Sequence, residues 1–168
     1  MLTYKELSGE MISPYLKTMA QIRMSVFHEW PYLYDGSLDY ELNYLDRYKR
    51  NKKSLCVLCL DQEKVVGITT LMPLIDEYDE LKRPLADQGH NLSEIFYYAE
   101  SCLLPEYRGQ GVYHEFFQRR EKHVRSFGDQ YKKICFCYLF NACSLLFVVF
   151  LISPVALIIL FPSKSTFP

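Results

Sequence analysis

The sequence predicts an α/β fold, and three observations carry the prediction. Strand-like and helix-like periodicities alternate along the chain, a two-glycine turn joins one aromatic strand to an amphipathic helix, and charge all but vanishes near residue 133. Of the 19 basic and 20 acidic residues in the 168-residue chain, only Lys164 lies beyond Lys133. The chain therefore divides into a folded domain over 1–133, an apolar run over 134–161 and a short tail over 162–168.

The elements follow in order. Residues 3–7 suit a short first strand. Ser13 and Pro14 supply a helix cap and a first-turn proline, and Leu16, Met19, Ala20, Arg23, Val26 and Phe27 recur at helical spacing up to about His28. Residues 27–36, aromatic and broken by Pro31 and Gly36, form a structured loop. A second helix starts at Leu38, with Leu42, Leu45 and Tyr48 on one face. Asp39 and Glu41 in its first turn and Arg47, Lys49 and Arg50 in its last complement the helix dipole. Residues 54–60 and 64–74 read as a hairpin. The polar stretch 76–91, punctuated by Pro84 and Gly89, reads as an exposed connection. Residues 94–104 are aromatic and apolar enough for a largely buried strand, and 131–137 suit another.

Between strand and helix stands Arg108-Gly109-Gln110-Gly111-Val112-Tyr113. Two glycines let the backbone bend sharply and leave its amides uncovered. The first N–H groups of a helix lack internal acceptors and carry the positive end of its dipole, so an anion such as a phosphate suits the position. Tyr113, Phe116, Phe117, Val124 and Phe127 then recur with helical period, and Glu115/Arg119 and Glu121/Arg125 pair at i,i+4. The bland reading of this segment is a structural turn.

The segment resembles the acyl-CoA loop of the GNAT (GCN5-related) N-acetyltransferases, written Q/R-x-x-G-x-G/A. Arg108 and Gly111 match; Tyr113 stands where the family prefers Gly or Ala. The element order over about residues 1–137 is also that of the family through its fifth strand. The resemblance implies a mixed central sheet flanked by helices, and an acyl-CoA N-acyltransferase that passes an acetyl group from acetyl-CoA to an amine. It implies that Arg108, Gly109, Gln110, Gly111, Val112 and Tyr113 hold the pyrophosphate and that Leu103 and Leu104 align the pantetheine through their backbone. Glu100, upstream on the same strand, stands where several members keep a proton-accepting glutamate, with Glu106 as second choice; an ion-pair role is the alternative for Glu100. Trp30, Tyr32 and Tyr34 become the acceptor wall, with His28 and Glu29 beside them, although aromatics so spaced also pack cores. Tyr138 is the one nearby candidate to protonate the leaving thiolate.

Other chemistries find little support. A formal charge of −1 and no basic block interleaved with aromatics give no sign of nucleic acid. Cys56 and Cys59 have metal-like spacing but point to opposite faces of a strand. His114 and His123 lie on opposite sides of one helix, so no metal is expected. The six cysteines read as reduced thiols, since the start of the chain is not a secretory signal.

The run 134–161 contains no charged residue. Roughly 20 helical residues cross a bilayer core, so the direct reading is a transmembrane helix. Arg125, Lys132 and Lys133 before it would keep the folded domain in the cytoplasm, with the membrane as a partner. Two alternatives stand beside it: a further core segment of a cytoplasmic domain, and a frame shift that replaces the helix and two strands with which the family completes its fold, leaving a non-catalytic acyl-CoA-binding remnant.

Overall fold

The computed structural model describes residues 1–29, 32–141, 144–151 and 159–163, with side-chain surroundings described up to Cys137. In chain order the elements are β1 (Leu2–Leu7), α1 (Leu16–His28), α2 (Leu38–Arg50), β2 (Leu55–Asp61), β3 (Lys64–Pro73), α3 (Asp79–Ala86), β4 (Ile95–Leu103), α4 (Val112–Arg125), β5 (Lys133–Asn141), β6 (Ser144–Leu151) and β7 (Ile159–Ser163). Two compact units result: Met1–Leu71 with Glu100–Glu121, and Met72–Ala99 with Lys122–Pro168.

In the first unit β1, β2 and β3 pair antiparallel, Leu7 opposite Cys56 and Cys56 opposite Thr70. The end of β4 lies beside β3, where the Leu104 N–H donates to the Val66 carbonyl at 3.0 Å. Nearly every residue of β2 and β3 is buried, which explains their largely apolar sequence. The tight approach of β3 and β4 depends on Gly67: a Cβ there would meet Leu103 Cδ1 at 2.7 Å and the Cys102 carbonyl at 3.1 Å. Met19 and Ala20 of α1, Leu45 and Tyr48 of α2, and Val112 and Phe116 of α4 complete the core. Tyr113 and Phe117, which share the helical period, are exposed instead. The helix shows the core a stripe through Val112 and Phe116, and its neighbouring residues face outward.

In the second unit β4 pairs parallel with β5 over Ile95–Tyr97, and β5, β6 and β7 pair antiparallel. Helix α3 occupies part of the expected connection over 76–91. Pro84 and Gly89 masked it, but Asp79 and Glu80 favour its start, and Leu81 and Leu85, one turn apart, pack with Leu74, Ile95, Tyr97 and Cys135. The start of α1 also differs from expectation. Residues 9–15 form a 3₁₀ turn containing Pro14, and the Ser13 hydroxyl donates to Glu10 at 2.9 Å rather than capping the helix.

The transmembrane helix expected over 134–161 is replaced, wherever that stretch is described, by strands. β5 continues through Asn141, and β6 pairs with it from Lys133 opposite Leu151 to Asn141 opposite Ser144. Residues 142–143 and 152–158 lie outside the described residues, and among the described residues no helix is long and apolar enough to cross a membrane. An unbroken apolar run carries no period to separate helix from strand. The β-branched and aromatic content of Ile134, Phe136, Tyr138, Phe147, Val148 and Val149 favours strand, and Asn141 pairs with Ser144. Two further strands, β6 and β7, follow β5 in this run. Two residues separate β5 from β6 in the chain.

Candidate functional site

The glycine turn is built from the end of β4. After Leu104 the chain makes a 3₁₀ turn over Pro105–Tyr107, anchored by the Tyr107 hydroxyl on Asp61 at 3.0 Å. It then reverses through Gly109 (φ +76°) and Gly111 (φ +79°) into α4. Both glycines lie in the left-handed region that side chains disfavour. The Gly111 carbonyl closes the first helical turn by accepting from His114 and Glu115 at 3.0 and 3.3 Å. Among the described residues the amide N–H groups of Gly109, Gln110, Gly111, Val112 and Tyr113 have no protein acceptor. Nothing lies within 4 Å of a Cβ built on either glycine. Five amides without a protein acceptor thus stand at the start of a 14-residue helix, whose positive dipole end favours an anion.

Two side chains of the segment are already engaged. The Arg108 guanidinium donates to Glu29 at 2.9 Å, both groups roughly half exposed. The Tyr113 hydroxyl reaches back to β4 and donates to the Ser101 carbonyl at 3.1 Å, taking one backbone acceptor of the strand. Burial, then the neighbouring Cys102, pushes the Tyr113 phenol up. Leu103 is buried in the core, and the Leu104 N–H is taken up by the Val66 carbonyl of β3.

Glu100 sits in a buried ion cluster. Arg23, projecting from α1, lies 2.5 Å from Glu41 of α2 through Nε and 2.6 Å from Glu100 through Nη1, with the three side chains no more than 8% exposed. The Tyr44 hydroxyl donates to the other Glu100 oxygen at 3.0 Å, and the Arg23 guanidinium stacks on the Tyr44 ring at 4.1 Å. Burial pulls the Arg23 guanidinium down, but the carboxylate of Glu100 foremost, then Tyr44, Cys102 and Glu41, holds it well above its ordinary value. The Arg23–Glu100 contact is close yet out of line for a hydrogen bond, so it is an ion pair held by charge. One Glu100 oxygen thus accepts from Tyr44 and the other faces the Arg23 guanidinium.

Of the expected acceptor wall, Trp30 lies outside the described residues. Tyr32 is half exposed and packs edge-on against Phe27 at 5.0 Å. Tyr34 turns inward, lying over Gly36, where a Cβ would meet its ring at 2.2 Å. Burial and then Glu41 raise its phenol to about 12. Tyr34 is thus partly buried beside Glu41. Tyr138 is on β5, its side chain outside the described part. Glu106 is exposed beside Lys64. The sequence reasoning missed Arg23, Glu41 and Tyr44; the available signal was Arg23 itself, a cation on the apolar stripe of α1, which requires a buried anion opposite.

No family model matches the sequence, and no curated protein matches it. Solved structures do match the fold. An aminoglycoside 6'-N-acetyltransferase from Acinetobacter haemolyticus aligns with a TM-score of 0.59 at 14% identity, covering 82% of this chain and 80% of that one. The chain has the fold of the GNAT acetyltransferases. An N-acetyltransferase from Staphylococcus aureus Mu50 aligns at 0.58 and 12% identity over 82% of this chain and 73% of its own. A putative acetyltransferase from Salmonella typhimurium, solved with its cofactor acetyl-CoA, aligns at 0.57 and 11% identity over 82% and 69%. On this GNAT fold the glycine turn joins β4 to α4, the junction at which the sequence resemblance put the acyl-CoA loop.

Proposed function

We propose that the protein is an acetyl-CoA-dependent N-acyltransferase. The observation that carries the reading is the run of free amides from Gly109 to Tyr113 at the start of α4, a site suited to a diphosphate. The GNAT fold and the acetyl-CoA bound in the Salmonella relative support it. In the reaction the acceptor amine attacks the thioester carbonyl carbon, the carbon–sulfur bond breaks, and CoA leaves as thiolate. The amine proton passes to Glu100, directly or through water, as the carboxylate gives up Tyr44 or Arg23. Arg108 and the cradle amides would hold the pyrophosphate, and rotation of Tyr113 away from Ser101 would free the strand acceptor for the pantetheine arm. Tyr32 is the exposed aromatic left to line the acceptor side.

A second reading is favoured by one observation, the two-residue link between β5 and β6 where the family carries a helix. Under it the chain binds acyl-CoA without turning it over. Equilibrium dialysis with acetyl-CoA and thiol release on a panel of primary amines separate the two. Binding with amine-dependent thiol release supports the transferase, binding alone supports the second reading, and no binding overturns both.

A further inference from the structure

Leu33 is a backbone outlier in the segment that follows α1. Its φ of +48° lies in the left-handed region, where a Cβ crowds the following carbonyl and glycine or asparagine is the usual occupant. The turn around it is well bonded: the Tyr32 and Leu33 N–H groups donate to the Glu29 carbonyl at 3.0 and 3.2 Å, and the Tyr34 N–H donates to the Phe27 carbonyl at 2.8 Å. The leucine gains little burial in return, since it is 69% exposed, next to a Tyr32 that is 51% exposed. Strain of this kind persists only where the surroundings hold it, and it clusters at binding sites.

The same segment is tied at both ends to the candidate chemistry. Glu29 pairs with Arg108 of the glycine turn at 2.9 Å, and Tyr34 lies beside Glu41, the carboxylate that shares Arg23 with Glu100. Leu33 therefore stands on the short stretch between the acyl-CoA loop and the base. Resting on the transferase reading above, we infer that Leu33 is a specificity-determining residue on the acceptor side and that the acceptor is a primary amine carried on an apolar body, alkyl or aryl. Apolar surface laid on the Leu33 side chain and the Tyr32 ring is removed from water on both partners, whereas a hydroxylated or ether-bearing amine gains nothing there and gives up hydration.

The test is steady-state thiol release by the full chain from acetyl-CoA with hexylamine, phenethylamine and diglycolamine, the last a polar match to hexylamine in length, for the natural protein, Leu33→Asn and Leu33→Met. Asparagine accepts a left-handed φ, so Leu33→Asn is expected to melt roughly 2–4 °C higher, which separates loss of the side chain from loss of the fold. The natural protein should prefer hexylamine and phenethylamine to diglycolamine in kcat/KM. Leu33→Asn should lower that preference about tenfold, the equivalent of burying part of a leucine, chiefly through KM for the amine, with KM for acetyl-CoA unchanged. Leu33→Met, apolar and of similar volume, should keep it. No preference for the apolar amines in a protein that releases thiol, or a preference that survives Leu33→Asn, overturns the acceptor assignment and leaves the transferase reading standing. Absence of thiol release with these and every other primary amine overturns the transferase reading and this inference with it.

Discussion

Replacing Arg23 by Met removes the cation of the Glu41–Arg23–Glu100 cluster while keeping most of the side-chain volume. Glu41 and Glu100, 0% and 7% exposed at their side chains, are left facing each other without a counter-ion. Breaking a buried pair from one side typically costs about 3–5 kcal/mol, because the remaining charge is desolvated and uncompensated. Here two carboxylates lose one partner, and the Tyr44 ring loses the guanidinium stacked on it at 4.1 Å, so the upper half of that range is expected. For a chain of this length the loss corresponds to a fall in melting temperature of roughly 10 °C or more. Urea denaturation followed by far-ultraviolet circular dichroism measures it. The triple variant Arg23→Met, Glu41→Gln, Glu100→Gln removes every charge of this cluster and should regain much of the loss. A cost below about 1 kcal/mol for Arg23→Met, or a triple variant no better than the single one, would show that charge is not what the cluster contributes.

The remaining predictions address the strand, the loop and pH. Gly111→Ala puts a side chain at φ +79°; with open space around it the cost is backbone strain alone, about 1–2 kcal/mol, and retention of CoA on a column should fall. Gly111→Glu should abolish that retention, since a carboxylate enters the cradle. Gly67→Ala, whose Cβ would press on Leu103 Cδ1 at 2.7 Å, should destabilise by about 1–3 kcal/mol in urea. Glu100→Gln should lower amine-dependent thiol release by about 100-fold or more while acetyl-CoA retention stays unchanged. His90, held below its ordinary value by burial and then by Lys133, should titrate below about 6.5 by proton NMR. Because its folded value lies below its unfolded one, its contribution to stability is whole above that range and is lost as pH falls through the folded value.

The parts that could be read from the sequence are those whose physics is local. The hairpin of β2 and β3, the dipole-matched helix α2 with its Ser37 cap accepting from Tyr40, and the turn from β4 into α4 each depend on residues within a few positions of one another. Helix α3 was hidden because Pro84 and Gly89 suggest a loop to any reader of the local chain, whereas Leu81 and Leu85 find their reason in Leu74 and Ile95. The described parts of the run 134–161 are strands where a helix was expected, for a different cause. Its apolarity is real, but apolarity alone fixes burial and not the hydrogen-bonding pattern, which pairing with β6 supplies.

The same division separates the two halves of the candidate chemistry. What the loop requires is a backbone shape, and two glycines at the right interval specify it; the free amides follow wherever the strand and helix are placed. What Glu100 requires is a set of partners drawn from three elements: Arg23 on α1, Glu41 and Tyr44 on α2, and its own place on β4. The sequence names each of these residues but not their meeting. An arginine on the apolar stripe of α1 tells only that some carboxylate must come to it. Two carboxylates came, and the one that a base-catalysed transfer would use is also the one that the arginine holds. Its placement and the stability of the first unit are therefore coupled through a single guanidinium, and any substitution at Arg23 that spares the fold should register in the rate of amine-dependent thiol release.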